Sequence, residues 1–126
     1  MSAMLKILLI VGAGGGLGRM ARFYAQFIAS KYLTGAFPYG TFFVNVVGSL
    51  IIGVVYGLTE RSGWLTPEWR FFLATGFCGG FTTFSTFSYE NLMLLRNGDY
   101  LVFVLYAGLS FVCGIAAIIL GILLTR

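Results

Sequence analysis

Apolar residues dominate four long stretches of the chain, and short connectors separate these stretches. The stretches cover residues 4–29, 41–58, 71–95 and 100–125. Each approaches or exceeds the roughly 20 residues that a helix needs to cross a bilayer. The connectors contain proline, glycine and charged residues, which are typical of turns at a membrane surface. This pattern predicts an all-α membrane protein in which residues 1–126 form a single domain of four transmembrane helices.

The first stretch opens with LKILLIVGAGGGLGRMARFYAQ, which superficially resembles a signal peptide. The apolar pattern continues beyond the glycines as far as Phe27, so we predict a helix that is retained. Gly12/Gly16 and Gly14/Gly18 both give the G-x-x-x-G spacing, which lets two helix backbones approach closely in a bilayer. The first helix is therefore expected to pack tightly against a neighbour.

Three polar residues of the first two stretches are candidates for a function within the membrane. Arg19 and Arg22 are one helical turn apart near the far end of the first stretch, and Asn45 lies in the second. Each arginine either extends to the membrane surface or acts within the membrane. Asn45 needs a hydrogen-bond partner, which is either a neighbouring helix or a transported species. The sequence leaves these alternatives open.

The third stretch contains the segment GFCGGFTTFSTFSYE over residues 76–90. Its Gly79-Gly80 pair weakens a helix by up to about 1 kcal/mol per glycine, so we predict a break near this pair. Irregular backbone at membrane depth is stable only where it is buried in protein or lines a cavity. Hydroxyl and phenyl side chains alternate just after the glycines, at Thr82, Thr83, Ser85, Thr86, Ser88, Phe81, Phe84 and Phe87. The segment is therefore the predicted functional site.

The fourth stretch carries no charge. Its polar groups are Tyr106 and Ser110, and its small residues Gly114, Ala117 and Gly121 form a row that can face another helix. No segment of 20–50 residues repeats along the chain, so we expect no internal inverted repeat.

Composition narrows the class of protein further. Hydrophobic residues make up 59% of the chain and charged residues 10%, which is too apolar for a soluble domain of 126 residues. The eight basic residues are scattered singly, which argues against nucleic-acid binding. The chain has no histidine, and Cys78 and Cys113 lie singly in apolar stretches, so neither a thiol metal site nor a disulfide is expected.

The basic residues also bear on orientation in the membrane. Four spans would place Lys6, Arg61, Arg70 and Arg126 on one side, and Arg19, Arg22, Lys31 and Arg96 on the other. Four basic residues on each side give no preferred orientation. If Arg19 and Arg22 lie deeper in the membrane, the count becomes four against two, which is a weak bias. Two opposite copies would create the inverted symmetry that larger transporters carry within one chain. We therefore predict a dual-topology antiparallel homodimer.

The polar groups within the spans favour an anion over a cation. Hydroxyls, the Asn45 amide and the positive edges of phenylalanine rings all present positive potential. The acidic residues are placed at or near span ends or in loops, at Glu60, Glu68, Glu90 and Asp99. Local bonding of the hydroxyls to carbonyls and plain packing of the rings remain the non-functional alternatives.

Three other classes of protein fit the sequence less well than an anion channel. A small dual-topology multidrug/proton antiporter needs an acidic residue within a span, and the first span has none, while Glu90 falls past the middle of the third. A non-transporting assembly subunit gives no reason for a polar break. An enzyme is least expected, because no nucleophile has an evident base.

Three motifs together closely resemble the CrcB/Fluc fluoride channels. They are TGFCGGFTTFSTFSYE over residues 75–90, GTFFVNVVGS over residues 40–49 and GGGLGRMARFY over residues 14–24. The resemblance implies an antiparallel homodimer with two fluoride pores in the bacterial cytoplasmic (inner) membrane, surrounded by lipid. Passive export through these pores would lower the fluoride level in the cytoplasm.

The resemblance also implies roles for individual residues. Main-chain carbonyls of Gly79 and Thr82 would hold a structural sodium ion on the dimer axis. The predicted anion pathway comprises Asn45, Phe84, Phe87, Ser85, Ser88, Thr83, Tyr106, Ser110 and Arg22. The fourth span departs from the family pattern, because Gly114 and Ile118 stand where relatives often carry hydroxyls. That departure puts the fourth helix's share of the pore lining in doubt.

Overall fold

The computed structural model describes residues 2–61 and 65–126, and every regular element in these residues is helical. Three helices are long and apolar enough to cross a membrane: α1 (Ala3–Tyr32), α2 (Tyr39–Glu60) and α6 (Tyr100–Leu124). The prediction of an all-α protein is confirmed. Trp64, which the sequence places in a surface loop, lies outside the described residues.

The third apolar stretch forms a bent helix rather than one continuous helix. It comprises α3 (Pro67–Arg70), a π-helical segment (Phe71–Cys78), α4 (Gly79–Phe81) and α5 (Phe84–Arg96). The first three parts follow one another directly, whereas two residues in extended conformation separate α4 from α5. A tight turn then leads from α5 to α6. In that turn Gly98 has a φ of 78°, a conformation that favours glycine.

The α1 glycines pack against the first half of the bent helix. A Cβ atom added at Gly14 would collide with the carbonyl oxygen of Phe72, and one at Gly18 with that of Phe77. Gly12 and Gly16 have no such neighbour. Of the two G-x-x-x-G pairs, Gly14/Gly18 therefore forms the close contact within the chain. This contact holds α1 beside the polar break.

Small residues also bring α2 and α6 together. A Cβ atom at Gly53 would collide with the carbonyl oxygen of Ile118, and one at Gly121 with that of Leu50. Ala117 and Gly121 are both buried. The predicted small-residue row of the fourth stretch thus faces another helix, and that helix is α2.

Candidate functional site

The break in the bent helix lies at Thr82 and Thr83, just after the glycine pair. Thr82 has φ −89° and ψ 160°, and Thr83 has φ −151° and ψ 123°, so both residues are extended. Gly79 and Gly80 remain helical in α4. A Cβ atom at Gly80 would collide with the carbonyl oxygen of Gly15, so this glycine is required for close packing. The glycines allow α1 to approach, and the threonines carry the break.

Threonine hydroxyls replace part of the hydrogen bonding that the break removes. The backbone N–H and the hydroxyl of Thr82 both donate to the carbonyl oxygen of Cys78, at 2.9 and 2.8 Å. The Thr83 hydroxyl accepts from the backbone N–H of Thr86 at 3.2 Å, which is the hydrogen bond of a helix N-cap. One threonine therefore ends α4 and the other begins α5.

Asn45 of α2 bridges across to the same break. Its Nδ2 donates to the carbonyl oxygen of Thr83 at 3.2 Å, and its Oδ1 accepts from the backbone N–H of Thr83 at 2.8 Å. This pair of bonds copies the way in which a neighbouring strand would satisfy an extended residue. The partner that a membrane asparagine requires is thus the unwound backbone itself.

Arg22 of α1 also reaches the break. Its Nε donates to the carbonyl oxygen of Gly80 at 2.9 Å, and the residue is half-buried. Arg19, one turn earlier, is exposed. The two arginines therefore differ, because only Arg22 hydrogen-bonds to the bent helix in the part of the chain that the structure describes.

The hydrogen bonds at the break leave some carbonyl oxygens free. In a continuous helix the N–H of Thr83 would bond to Gly79 and that of Thr86 to Thr82. Asn45 takes the first N–H and the Thr83 hydroxyl takes the second. Among the hydrogen bonds of the described residues, none ends on the carbonyl oxygen of Gly79 or Thr82. Such free carbonyls suit a hard cation, which binds oxygen ligands, so these residues fit the sodium ion that the resemblance implies.

An open cavity of about 460 Å³ lies beside the break. Polar donors and aromatic rings share its walls, which are formed by α2, α5, α6 and the break. The lining residues are Asn45, Ser49, Ile52, Thr82, Thr83, Phe84, Phe87, Ala107, Ser110 and Phe111. The hydroxyl oxygen of Ser110 is buried there and has no hydrogen-bond partner. Ser110 therefore carries a hydroxyl donor that the protein leaves unused at the cavity wall.

The two predicted pathway rings differ in exposure. The ring centroids of Phe84 and Phe87 are 6.0 Å apart, so the rings form a tilted pair. Phe84 is 79% exposed, whereas Phe87 packs against the ring of Tyr106 at 5.0 Å. The Phe87 ring is thus packed within the chain, and the Phe84 ring projects from it.

The structure brings together some of the predicted pathway residues and separates others. Asn45, Thr83, Phe84, Phe87 and Ser110 all line the cavity, together with Thr82 from the predicted sodium site. The remaining pathway residues do not line it: Ser85 and Ser88 are exposed, Tyr106 is fully buried behind Phe87, and Arg22 lies on α1.

A second polar group was not recognised in the sequence. Gln26 donates to the Thr41 hydroxyl at 3.0 Å, and that hydroxyl donates to Oε2 of Glu90 at 2.9 Å. The hydroxyl of Tyr106 donates to Oε1 of the same carboxylate at 2.8 Å. Glu90 therefore lies within α5, past the middle of the third stretch, and accepts hydrogen bonds from two members of a polar chain.

Chain geometry contained a signal for this group. Gln26 and Thr41 flank one connector, and Glu90 and Tyr106 lie at equal distances along the chain from the turn at Gly98. Residues that flank a turn at equal distances lie at similar depth. Ser49 was also missed. It lines the cavity and faces Gly114, where a Cβ atom would lie 3.7 Å from its hydroxyl oxygen.

Three long apolar helices and a bent fourth element around a polar break define a multi-pass membrane protein. Comparison with known proteins identifies the family. Residues 9–122 match the model of the CrcB-like protein, Camphor Resistance (CrcB) family, and the chain belongs to this family. The prediction of membership in the CrcB/Fluc family is confirmed.

Similar proteins match over nearly their whole length. A protein of Gloeothece citriformis is 47% identical over 123 residues, which are 98% of each chain. One of Pyrococcus abyssi is 45% identical over 122 residues, 97% of this chain and 98% of the relative. One of Leptospira interrogans is 44% identical over 117 residues, 93% and 92% of the two chains. Each of the three carries the name fluoride-specific ion channel FluC.

Proposed function

We propose that this protein is a fluoride-specific ion channel that lets fluoride leave the cytoplasm passively across the inner membrane of a bacterium. The observation that carries the proposal is 44–47% identity, over almost the full chain, to proteins named as such channels. The cavity beside the break supports it independently. Donors line this cavity, and none of its lining residues is acidic.

The anion path is proposed to run along the cavity. A small, strongly hydrated anion needs several weak donors in sequence, because a single strong cationic site would hold it too tightly. Asn45 and Ser110 supply polar hydrogens, and the edges of Phe84 and Phe87 supply positive potential. In the cavity the ion would exchange water for these groups. Ser49, which faces Gly114, supplies a hydroxyl beside the position where the fourth helix lacks one.

One subunit does not enclose this path. The cavity is open, and Phe84 is 79% exposed although its ring belongs to the proposed lining. A second, antiparallel copy of the chain is proposed to close it, which gives a dimer with two paths. With Arg22 bonded to the break, the basic residues near the two surfaces number four against three, and this near balance supports insertion in both orientations. The unused Gly12/Gly16 row of α1 is open to close contact with another helix.

The carbonyl oxygens of Gly79 and Thr82 are proposed to hold a sodium ion where the bent helices of the two copies cross. A sodium ion there would satisfy carbonyls that would otherwise lack a donor inside a membrane protein. Gly79 itself is exposed in the single subunit, so its backbone is accessible to a second copy. The ion would be structural and would not be transported.

The antiporter alternative receives no support from the site. An antiporter needs a carboxylate that can bind a cation and release a proton. Glu90 is the acidic residue of α5, and hydroxyl donors already occupy both of its oxygens. Such a carboxylate accepts hydrogen bonds from the protein and offers less to a substrate.

The function is tested by anion efflux from liposomes. Purified protein, reconstituted into vesicles loaded with potassium fluoride, should release fluoride when valinomycin balances the charge, as read by a fluoride electrode. Vesicles loaded with potassium chloride should retain chloride in the same assay. Fluoride release no faster than from protein-free vesicles, with a folded protein recovered, would refute the proposal.

A further inference from the structure

The carbonyl oxygens at the break fall into two groups. Those of Cys78 and Gly80 have protein donors, namely Thr82 and Arg22. Those of Gly79 and Thr82 receive none of the hydrogen bonds of the described residues. The side chains at the break therefore determine which carbonyl oxygens remain available to another ligand.

Among the described residues, Arg22 is the only residue of α1 that hydrogen-bonds to a carbonyl oxygen at the break. In a continuous helix the Gly80 carbonyl would accept from the N–H of Phe84, but α5 begins at Phe84. The guanidinium group replaces that donor at 2.9 Å. A charged donor forms a stronger bond than a neutral amide, so it fixes the orientation of the Gly80 peptide plane firmly.

Arg22 is also well anchored for this purpose. The α1 backbone is held against the bent helix at Gly18, where a Cβ atom would collide with the carbonyl oxygen of Phe77. This contact lies one turn from Arg22, so the arginine reaches the break from a rigid base. Arg22 does not line the cavity beside Phe84 and Phe87.

We infer that Arg22 is a positioning residue for the cation site and not a lining residue of the anion path. Its Nε bond to Gly80 holds the break in the conformation that leaves the Gly79 and Thr82 carbonyls directed to a shared sodium ion. This inference rests on the sodium site proposed above. Groups that orient metal ligands without touching the metal typically contribute about 10–100-fold to metal affinity.

The test is a sodium titration of thermal stability on the purified full-length protein. Sodium replaces N-methyl-D-glucamine at constant ionic strength, and the melting temperature should rise with sodium and saturate. Arg22→Lys keeps the charge but places its donor one atom further from the backbone, and Arg22→Met lacks both the charge and a donor. In both variants we expect the sodium midpoint to rise by about tenfold or more. Arg19→Lys and Arg19→Met are matched controls, because Arg19 is exposed on the same helix.

Three results would overturn the inference. An Arg22→Lys variant with the wild-type midpoint would show that the Nε bond to Gly80 is not required. A melting temperature lowered equally at every sodium concentration, with an unchanged midpoint, would show a merely structural role. A wild-type protein that does not respond to sodium would remove the cation site and this inference together. Fluoride efflux from the same preparation reports separately on the channel, and Arg22→Lys decides alone if Arg22→Met does not fold.

Discussion

At the scale of single residues, polar side chains replace the backbone hydrogen bonds that the break removes. Thr82, Thr83 and Asn45 each bond to backbone groups at the break, and their bonds are between 2.8 and 3.2 Å long. In a lipid environment no water is present to hydrogen-bond to unpaired backbone groups, so each missing bond is costly. The segment thus carries hydroxyl groups first because its broken backbone needs hydrogen-bond partners. The cavity beside it results from the same break.

Asn45 provides the sharpest test of this view. Replacing it with leucine keeps the size of the side chain and removes both bonds to Thr83, which leaves a buried N–H and C=O unpaired. We expect the free energy of unfolding to fall by about 1–3 kcal/mol and fluoride efflux to be lost. Unfolding in mixed detergent micelles measures the first, and the liposome assay measures the second.

Ser49→Ala is the matched control for Asn45. Ser49 lies on the same helix and lines the same cavity, but none of the hydrogen bonds of the described residues involves its side chain. Its removal should leave stability within about 0.5 kcal/mol of wild type. An equal loss of stability in the two variants would contradict the role given to Asn45.

The two phenylalanines test the anion path at the same scale. Phe84→Ile and Phe87→Ile keep most of the apolar bulk and remove the polarised ring edge. Fluoride efflux per amount of folded protein should fall by at least about tenfold in each, which corresponds to roughly 1.4 kcal/mol. Phe23→Ile is the control, because Phe23 is 71% exposed on α1 and lies away from the cavity. Undiminished efflux in both cavity variants would show that the rings only pack.

At the scale of helices, glycine rows decide which elements meet. Gly18 packs against the backbone of Phe77, and backbone cannot move aside as a flexible side chain can. Gly18→Ala should therefore force α1 away from the bent helix and lower the free energy of unfolding by about 1–3 kcal/mol. Gly108→Ala, on α6, is the control, since nothing lies within 4 Å of its added Cβ atom. Equal melting temperatures for the two variants would refute this packing role.

The sequence predicted the helical elements well, because the apolar stretches are long and the connectors are rich in turn-forming residues. It placed the break near Gly79-Gly80, whereas the extended residues are Thr82 and Thr83. Glycine propensity is a weak preference, and close packing of Gly80 against Gly15 overrides it. The π-helical segment Phe71–Cys78 has no recognisable sequence signal.

Only part of the candidate site was predicted, because the sequence shows local motifs but not tertiary contacts. Residues close together in sequence, such as Thr83 and Phe84, were found because one motif contains them. The chain from Gln26 through Thr41 and Glu90 to Tyr106 joins four helices, so it becomes visible only once these helices are packed. Tertiary hydrogen bonds between single polar residues leave no local pattern in the sequence.

At the scale of the whole molecule, one subunit leaves the proposed path open and the proposed cation ligands exposed. The carbonyls of Gly79 and Thr82 supply two ligands, which are too few for a hard cation, and a second copy would double them. An antiparallel arrangement supplies the inverted symmetry that a chain without internal repeats lacks. Dual orientation in the membrane is therefore the property on which the proposed assembly depends.

Orientation can be measured with cysteines at the two ends of α2. Glu60→Cys and Ala36→Cys place a thiol at exposed positions on opposite sides of the membrane, in a background where Cys78 and Cys113 are replaced by alanine. A membrane-impermeant maleimide added to intact cells should label about half of the protein in each variant, because the nearly balanced basic residues on the two sides give little preference for one orientation. The cysteine-free background controls for labelling elsewhere. Complete labelling of one variant and none of the other would show a single orientation, and an antiparallel dimer could not form.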